Sequence, residues 1–377
     1  MTVRIAKPPV NIREKLAELE RPIGLNGQAL LATETPQQAF DLLGAGRKNR
    51  IINGGMQIDQ RYNGSLFSSA NGFITDRWTG NWYAPAGGSY SGQQVSDAPA
   101  GFRNSLKITT TAVPSNNTNS YFQIFQIIEG YNIADLMMGT TNAKTFTCSF
   151  WVKSSIVGTY SICFFNNQQT VRAYNTTYNI NTANTWEYKA ITVPGDTSTT
   201  GTWGSTNGNG LGVFFDMGSG TNQEASANSW VTTNTRRVAG TVRLINTNGA
   251  TWQITGVQLE VGKVATPFEY RSIGQELALC QRYYYASANH HHVLFKNSFW
   301  ESSTFYFPET MRAAPSVSLT GSPGTLHLRL LNGNSDIGNT PVYSTFTDGF
   351  LLVSSTTNND TFYNWILNGT ITASAEL

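Results

Sequence analysis

Near Gly44 the chain changes character, and no other feature of the sequence constrains its fold as strongly. Ahead of that point it is charged and carries helix-start and helix-stop residues. Behind it, short runs that alternate aromatic with polar residues are separated by Asn, Gly, Ser and Thr. The expected organisation is a small helical segment followed by a long β body, a mainly β protein mounted by one end and displaying a surface. Charged residues make up only 13% of the chain, about half the usual share of roughly 25%, so that surface must consist largely of neutral polar groups. A formal net charge of +2 supplies no concentrated Lys/Arg stripe to neutralise a phosphate backbone, which argues against nucleic acid as a partner.

The first helix is expected over residues 12–20. Pro8 and Pro9 impose an extended lead-in, Asn11 stands at the N-cap position, and Ile12, Leu16 and Leu19 share one stripe at i, i+4 and i+7. Pro22 ends it. A helix this short is marginal on its own in water, so the stripe must dock on its own domain as a lid, on identical chains or on a larger assembly, and Ile12, Leu16 and Leu19 are the expected anchoring or oligomer-forming residues. A second helix start is Thr35-Pro36-Gln37-Gln38, with Thr at the N-cap, Pro at the first helical position and Gln three residues after the cap. Ala39, Phe40, Leu42 and Leu43 follow it, and Gly44 is the stop.

From Ile51 the period is two. Phe146, Cys148, Phe150 and Val152 alternate with Thr147, Ser149, Trp151 and Lys153, which makes a strand with one strongly apolar face. β-Branched and aromatic content marks further strands over 160–165, 185–193, 212–216, 242–246 and 252–261. Asn248-Gly249 is a two-residue hairpin signal, since both residues tolerate positive φ, and residues 219–222 mark a looser loop. Many short strands with Asn/Gly turns predict an antiparallel β-sandwich of the jelly-roll kind; no regular repeat supports a solenoid. A short helix over 275–281 runs into Tyr283, Tyr284 and Tyr285. Beyond it, strands over 305–308, 316–319, 326–331, 349–354 and 361–367 predict a smaller C-terminal β domain. The expected division is a helical segment over 1–46, a jelly-roll sandwich over 47–282 and a C-terminal β domain over 283–377.

Cys148, Cys163 and Cys280 show no CxxC pairing and are expected to be buried free thiols. Residues 1–9 lack the apolar core of a signal peptide, and no stretch approaches the roughly 20 apolar residues of a membrane span. No membrane association is therefore expected, and synthesis is expected in the cytoplasm.

Several blocks resemble bacteriophage tail-fibre and other virion appendage proteins. AKPPVNIREKLAEL at 6–19 is similar to the N-terminal regions of phage fibre-type proteins, and NRIINGGMQI at 49–58 followed by FITDRW at 73–78 resembles the start of their jelly-roll domain. FWVK at 150–153, QLEVG at 258–262, TPFEY at 266–270, ELALCQRY at 276–283 and FPETMRAAP at 307–315 resemble later landmarks, in the same order. The resemblance implies a homotrimeric virion protein whose sandwich is similar to a carbohydrate-binding module. It covers the chain to Pro315 and carries over no binding residue.

Glycan binding needs exposed aromatic faces for the C–H side of a sugar ring and planar amides or carboxylates for its hydroxyls. Trp78, Trp82 and Tyr83, beside Asp76, Arg77 and Asn81, form the best such cluster, although Trp78 also reads as core. Trp203 and Trp230, in Thr/Asn/Gly/Ser-rich stretches, are further candidates, whereas Trp186 and Trp252 read as strand core. Three chains could gather one residue each from His290-His291-His292 around a threefold axis. No Cys, Asp or Glu stands beside that run to complete a site, so a polar turn is expected there, with no metal and no cofactor.

Asp76, Glu129, Asp216 and Glu301 are scattered, with no sign of the pair, roughly 5–9 Å apart, that glycoside hydrolysis uses. No Gly-x-Ser-x-Gly elbow or Ser/His/Asp set is evident either, and enzymatic activity is not expected. The expected function is a tail-fibre-like appendage made in the host cytoplasm and carried on the virion. Residues 1–46 would dock on other virion proteins and the sandwich on host surface polysaccharide. The alternatives are a head fibre or capsid decoration protein with a purely structural role, and a glycan-cleaving appendage that would release reducing sugar.

Overall fold

Alternation at period two builds two antiparallel sheets. The computed structural model describes residues 48–115, 118–291, 295–297, 300–321, 342–354 and 366–377. The helices expected before Gly44, with Ile12, Leu16 and Leu19, lie outside the described residues, as do the strand expected over 326–331 and the side chains of His290, His291 and His292. Residues Asn49–Leu377 form one compact unit.

β1 (Asn71–Thr75) and β2 (Trp78–Tyr83) form a hairpin, as do β3 (Ser89–Val95) and β4 (Ser105–Ala112), and β5 (Tyr121–Glu129) returns beside β2. β6 (Phe146–Ser154), β7 (Gly158–Phe165), β8 (Ala173–Ile180), β9 (Glu187–Val193) and β10 (Asn209–Asp216) follow. Three short strands, β11 (Glu224–Ala225), β12 (Ser229–Val231) and β13 (Arg237–Val238), precede β14 (Thr251–Val261). One sheet has the order β1-β2-β5-β10-β7-β8-β12 and the other β3-β4-β14-β6-β9. The chain crosses between the sheets at most connections, which makes the sandwich a jelly roll.

Phe146, Cys148, Phe150 and Val152 are fully buried, as their alternation predicts, and Leu106, Ile108, Trp252 and Ile254 join them from the same sheet. The seven-stranded sheet supplies Trp78, Phe122, Ile124, Ile162, Phe164 and Phe215 to the same core. Phe215 is its hub, with ring centroids 5.1 Å from Phe150, 5.4 Å from Trp252, 6.3 Å from Trp78 and 6.4 Å from Tyr178. Cys148, Cys163 and Cys280 are buried and free; burial pushes the Cys163 thiol up to about 12, so it stays protonated and unreactive.

Three local expectations are corrected. Residues 244–246 form a 3-10 turn instead of a strand. Leu244 and Ile245 are adjacent yet both buried, whereas a strand would send one to the opposite face. Asn248-Gly249 leads from that turn into β14 and does not join two strands; Gly249 has φ +76, and the Ala250 N–H donates to the Thr247 carbonyl at 3.1 Å. Trp186 is half-buried and not core. The register Trp151↔Tyr188, continued by two residues, sets it opposite Lys153 on the outer face, with its Nε1 3.4 Å from the Asp97 carboxylate.

After the sandwich, Ser272 and Gln275 form a capping box that starts α1 (Ile273–Gln281). Cys280 and Tyr283 close over Ile52 and Ile58. β15 (Tyr284–His291), β16 (Phe295–Asn297), β17 (Trp300–Tyr306), β18 (Ser316–Gly321), β19 (Val342–Phe346), β20 (Gly349–Ser354) and β21 (Ile366–Ser374) form two sheets, β15-β21-β18 and β16-β17-β20-β19. Tyr285, Phe305, Phe307 and Phe350 pack with Ile371 as their core. Among the described residues no helix is long and apolar enough to cross a membrane.

The turn between β1 and β2 ties this segment to the sandwich. Arg77, at φ +69, lays its guanidinium over the Tyr283 ring at 3.6 Å, donates to the Ile127 carbonyl at 2.6 Å and pairs with Glu376. Arg61 stacks over Tyr284 at 3.5 Å and meets Glu376 at 2.8 Å. Asp76 is fully buried beside them and accepts the Gln60 N–H at 2.9 Å. Burial pushes its carboxyl from 3.8 up to about 6. The folded state therefore binds the proton more tightly than the unfolded chain, and stability falls as pH rises from about 4 to about 6, then levels. At about 1.4 kcal/mol per pH unit, Asp76→Asn should gain on wild type by up to about 3 kcal/mol between pH 4 and 7 in paired urea titrations. A constant difference between the two proteins across that range would contradict a costly buried carboxylate.

Candidate functional site

The outer face of the seven-stranded sheet is aromatic where an exposed sheet face would ordinarily be polar. β5 places Phe122, Ile124 and Ile128 in the core and sends Tyr121, Gln123, Phe125 and Ile127 to the opposite face. Phe125 stands opposite Phe214 of β10 in the ladder, and their rings stack at 4.5 Å and 19°. Phe165 of β7 meets Phe214 edge-on at 5.8 Å. Gly212 lies two residues before Phe214 on the same face, and a Cβ there would run into the Phe214 ring; glycine is what lets that ring lie along the strand. On the other side Tyr121 pairs with Tyr83 of β2, and their rings stack at 5.8 Å and 30°.

These residues floor a cleft of about 540 Å³, within the range of roughly 300–1,000 Å³ common for small-ligand sites. Phe73, Tyr121 and Phe125 supply ring surface, and Phe214, only 4% exposed, backs them. The side-chain amides of Asn71, Asn81 and Gln123 come from the strands, those of Asn167 and Asn234 from loops and that of Gln223 from a 3-10 turn. Each amide both donates and accepts, so the cleft can pair with the hydroxyls of a sugar while its rings meet the C–H faces. Among the described residues that line it, which end with Leu377, Arg236 has the only charged side chain. A second depression of about 640 Å³ lies beside α1, but its arginines are committed: Arg271 to Glu269 at 2.9 Å and Arg282 to Glu129 at 2.6 Å.

The residues singled out from sequence divide by strand parity. On β2, Trp78 and Trp82 face inward and Thr79, Asn81 and Tyr83 outward. Tyr83 is 52% exposed and reaches the cleft through its stack on Tyr121. Trp82 is half-buried against the core, stacked on Phe122 at 6.4 Å. Trp78 is corrected from candidate to core: it is fully buried and donates from Nε1 to the Asn53 carbonyl at 3.1 Å, so it has no face to offer a sugar. Asp76 and Arg77 are likewise buried in the turn and do not line the cleft.

Trp203 and Trp230 meet each other edge-on at 5.5 Å, away from the cleft lining. Both are half-buried against the core, and Trp203 Nε1 donates to Asp196 at 3.3 Å while Trp230 Nε1 donates to the Pro194 carbonyl at 2.8 Å. Of the cleft's lining only Asn81 is singled out by sequence, beside a candidate; Phe73, Tyr121, Gln123, Phe125, Phe214 and Arg236 are among the residues that sequence reasoning missed. A signal was available in β5, where YFQIFQIIE is apolar in both registers and so requires cover on both faces.

The carboxylates weighed for catalysis are held by neighbours. Glu129 accepts from Arg282 Nη2 and from the Tyr283 hydroxyl, both at 2.6 Å. Asp216 accepts from Arg237 at 3.0 Å and from the Ser219 N–H at 2.9 Å. Asp76 is sealed as described, and the Glu301 side chain lies outside the described residues.

No family model matches the sequence, and no curated protein matches it. Among solved structures, the chain is similar to the enzymatically active domain of bacteriophage CBA120 tailspike protein 4, at 15% identity and a TM-score of 0.32. That match covers 57% of this chain and 21% of the other, so this chain spans about a fifth of its length. It is also similar to a structure described as CBM4, at 13% identity and a TM-score of 0.29, covering 56% of this chain and 98% of the other. A putative sugar binding protein from Bacteroides thetaiotaomicron matches at 11% identity and a TM-score of 0.31, over 57% of this chain and 100% of the other.

Proposed function

We propose that this protein is a non-catalytic, glycan-binding appendage of a bacteriophage particle, which holds host surface polysaccharide in the cleft of its seven-stranded sheet. The observation that carries the binding reading is the aromatic floor, Phe125 on Phe214 and Tyr121 on Tyr83, bordered by side-chain amides. Tyr83, Tyr121 and Phe125 keep ring surface open on an outer sheet face while Phe214 is buried beneath them; such surface is a liability unless a partner covers it, and a saccharide matches both the rings and the amides. Among the described residues no carboxylate side chain lines the cleft, which favours holding over cleaving. The virion setting rests on the sequence resemblance; within it, residues 1–46 dock on other virion proteins and the assembly is a homotrimer.

Tyr121→Ala and Tyr83→Ala should each weaken binding to host cells by about 1–3 kcal/mol, the magnitude of base–aromatic stacking, without shifting the melting temperature appreciably. Trp203→Ala, in contrast, should leave the affinity of the folded protein unchanged. Adsorption unaffected by both tyrosine variants would remove the cleft from this reading. Antibody-labelled particles viewed by electron microscopy test the virion placement directly.

A further inference from the structure

Arg236 differs from the other deeply buried arginines of the described chain. Arg77, Arg172 and Arg237 meet the carboxylates of Glu376, Asp196 and Asp216. Arg236 is only 8% exposed, yet among the described residues no carboxylate pairs with it. Its Nη1 donates to the Thr235 carbonyl at 3.3 Å, and among the described residues its Nε is buried without a partner and its Nη2 makes no hydrogen bond. The guanidinium lies over the Phe165 ring at 3.4 Å and 5.0 Å from that of Phe214. Cation–π contact offsets only part of the cost of taking a cation out of water, and burial pushes this guanidinium below the usual arginine range. The Gln223 carbonyl accepts the Arg236 N–H at 3.0 Å, which places a second cleft-lining side chain beside the unpaired charge.

We propose that Arg236 makes the cleft selective for an acidic saccharide, receiving the carboxylate of a uronic-acid residue while neighbouring sugars lie on Phe125 and Tyr121. This rests on the glycan-binding reading above. A lone cation balances one negative charge per bound sugar, and a carboxylate oxygen supplies the acceptor that Nη2 lacks. Neutral polysaccharide would leave the cation as unpaired as it is in the free protein.

The test titrates the full chain with oligosaccharides from alginate, pectate and hyaluronan, each beside its carboxyl-reduced, neutral counterpart. At least one acidic member should bind tenfold or more tightly than its neutral counterpart at low salt, and the preference should shrink as sodium chloride is added. Arg236→Gln should bring the two members within about twofold, chiefly by weakening the acidic one, and Arg236→Lys should restore part of the gap. Equal binding of both members by wild type, or a preference that survives Arg236→Gln, overturns the proposal and leaves the glycan reading standing. Binding to no member of any pair overturns both. Should Arg236→Gln fail to fold, a wild-type preference insensitive to salt is the overturning result.

Discussion

Phe215→Ala should lower the unfolding free energy by about 3–5 kcal/mol, the cost of emptying a large aromatic site that cannot collapse. Phe215 is fully buried on β10, which lies between β5 and β7, and it touches rings from both sheets. Its neighbours are poorly placed to fill the void. Trp78 is held by its bond to the Asn53 carbonyl, and Trp252 by its Nε1 donating to the Tyr178 hydroxyl at 3.0 Å. The adjacent Phe214→Ala faces the cleft, so it should cost less stability and more glycan affinity. Guanidinium unfolding of both variants, followed by tryptophan fluorescence, tests the contrast; a loss below about 1 kcal/mol for Phe215→Ala would contradict a rigid core around it.

Asp196→Ala should be comparably severe, at about 3–5 kcal/mol, because it strands a buried guanidinium. Arg172 reaches Asp196 with Nε at 2.7 Å and Nη2 at 2.6 Å, and the two side chains are 8% and 2% exposed. The same carboxylate accepts from the Ser198 N–H at 3.2 Å and from Trp203 Nε1, so the loop that carries Trp203 should loosen with it. Combining Asp196→Ala with Arg172→Met removes both charges. Much of the loss should then be recovered, since exchanging a whole buried pair for apolar groups is often close to neutral. A double-mutant cycle provides the measurement, and simple additivity of the two changes would refute coupling.

The β class, the apolar face of β6, the helix before Tyr283 and the buried thiols were all legible in the sequence, because each is written in residues a few positions apart. Alternation in Phe146, Cys148, Phe150 and Val152 needs no partner to be read, whereas the helix was expected only from 275 and its Ser272–Gln275 cap, which starts it at Ile273, went unread. Residues 242–246 misled because β-branched content alone cannot distinguish a strand from a turn that buries two consecutive side chains. The cleft was hidden for a different reason. Its parts come from positions as far apart as Asn71 and Leu377, and only the sheet order around β2, β5 and β10 brings them side by side.

Trp82 and Tyr83 show where local reading stops. Period two requires them to point to opposite faces, but nothing nearby says which face is dry. Arg236 and Arg237 are neighbours with opposite fates, one over Phe165 beside the cleft and the other paired with Asp216. By itself the sequence determined that strands would form and that each would carry two distinct faces. Which face met the second sheet, and which stayed open with its rings and one unpaired cation, was decided only by the tertiary structure, since register and sheet packing are set by strands distant in the chain.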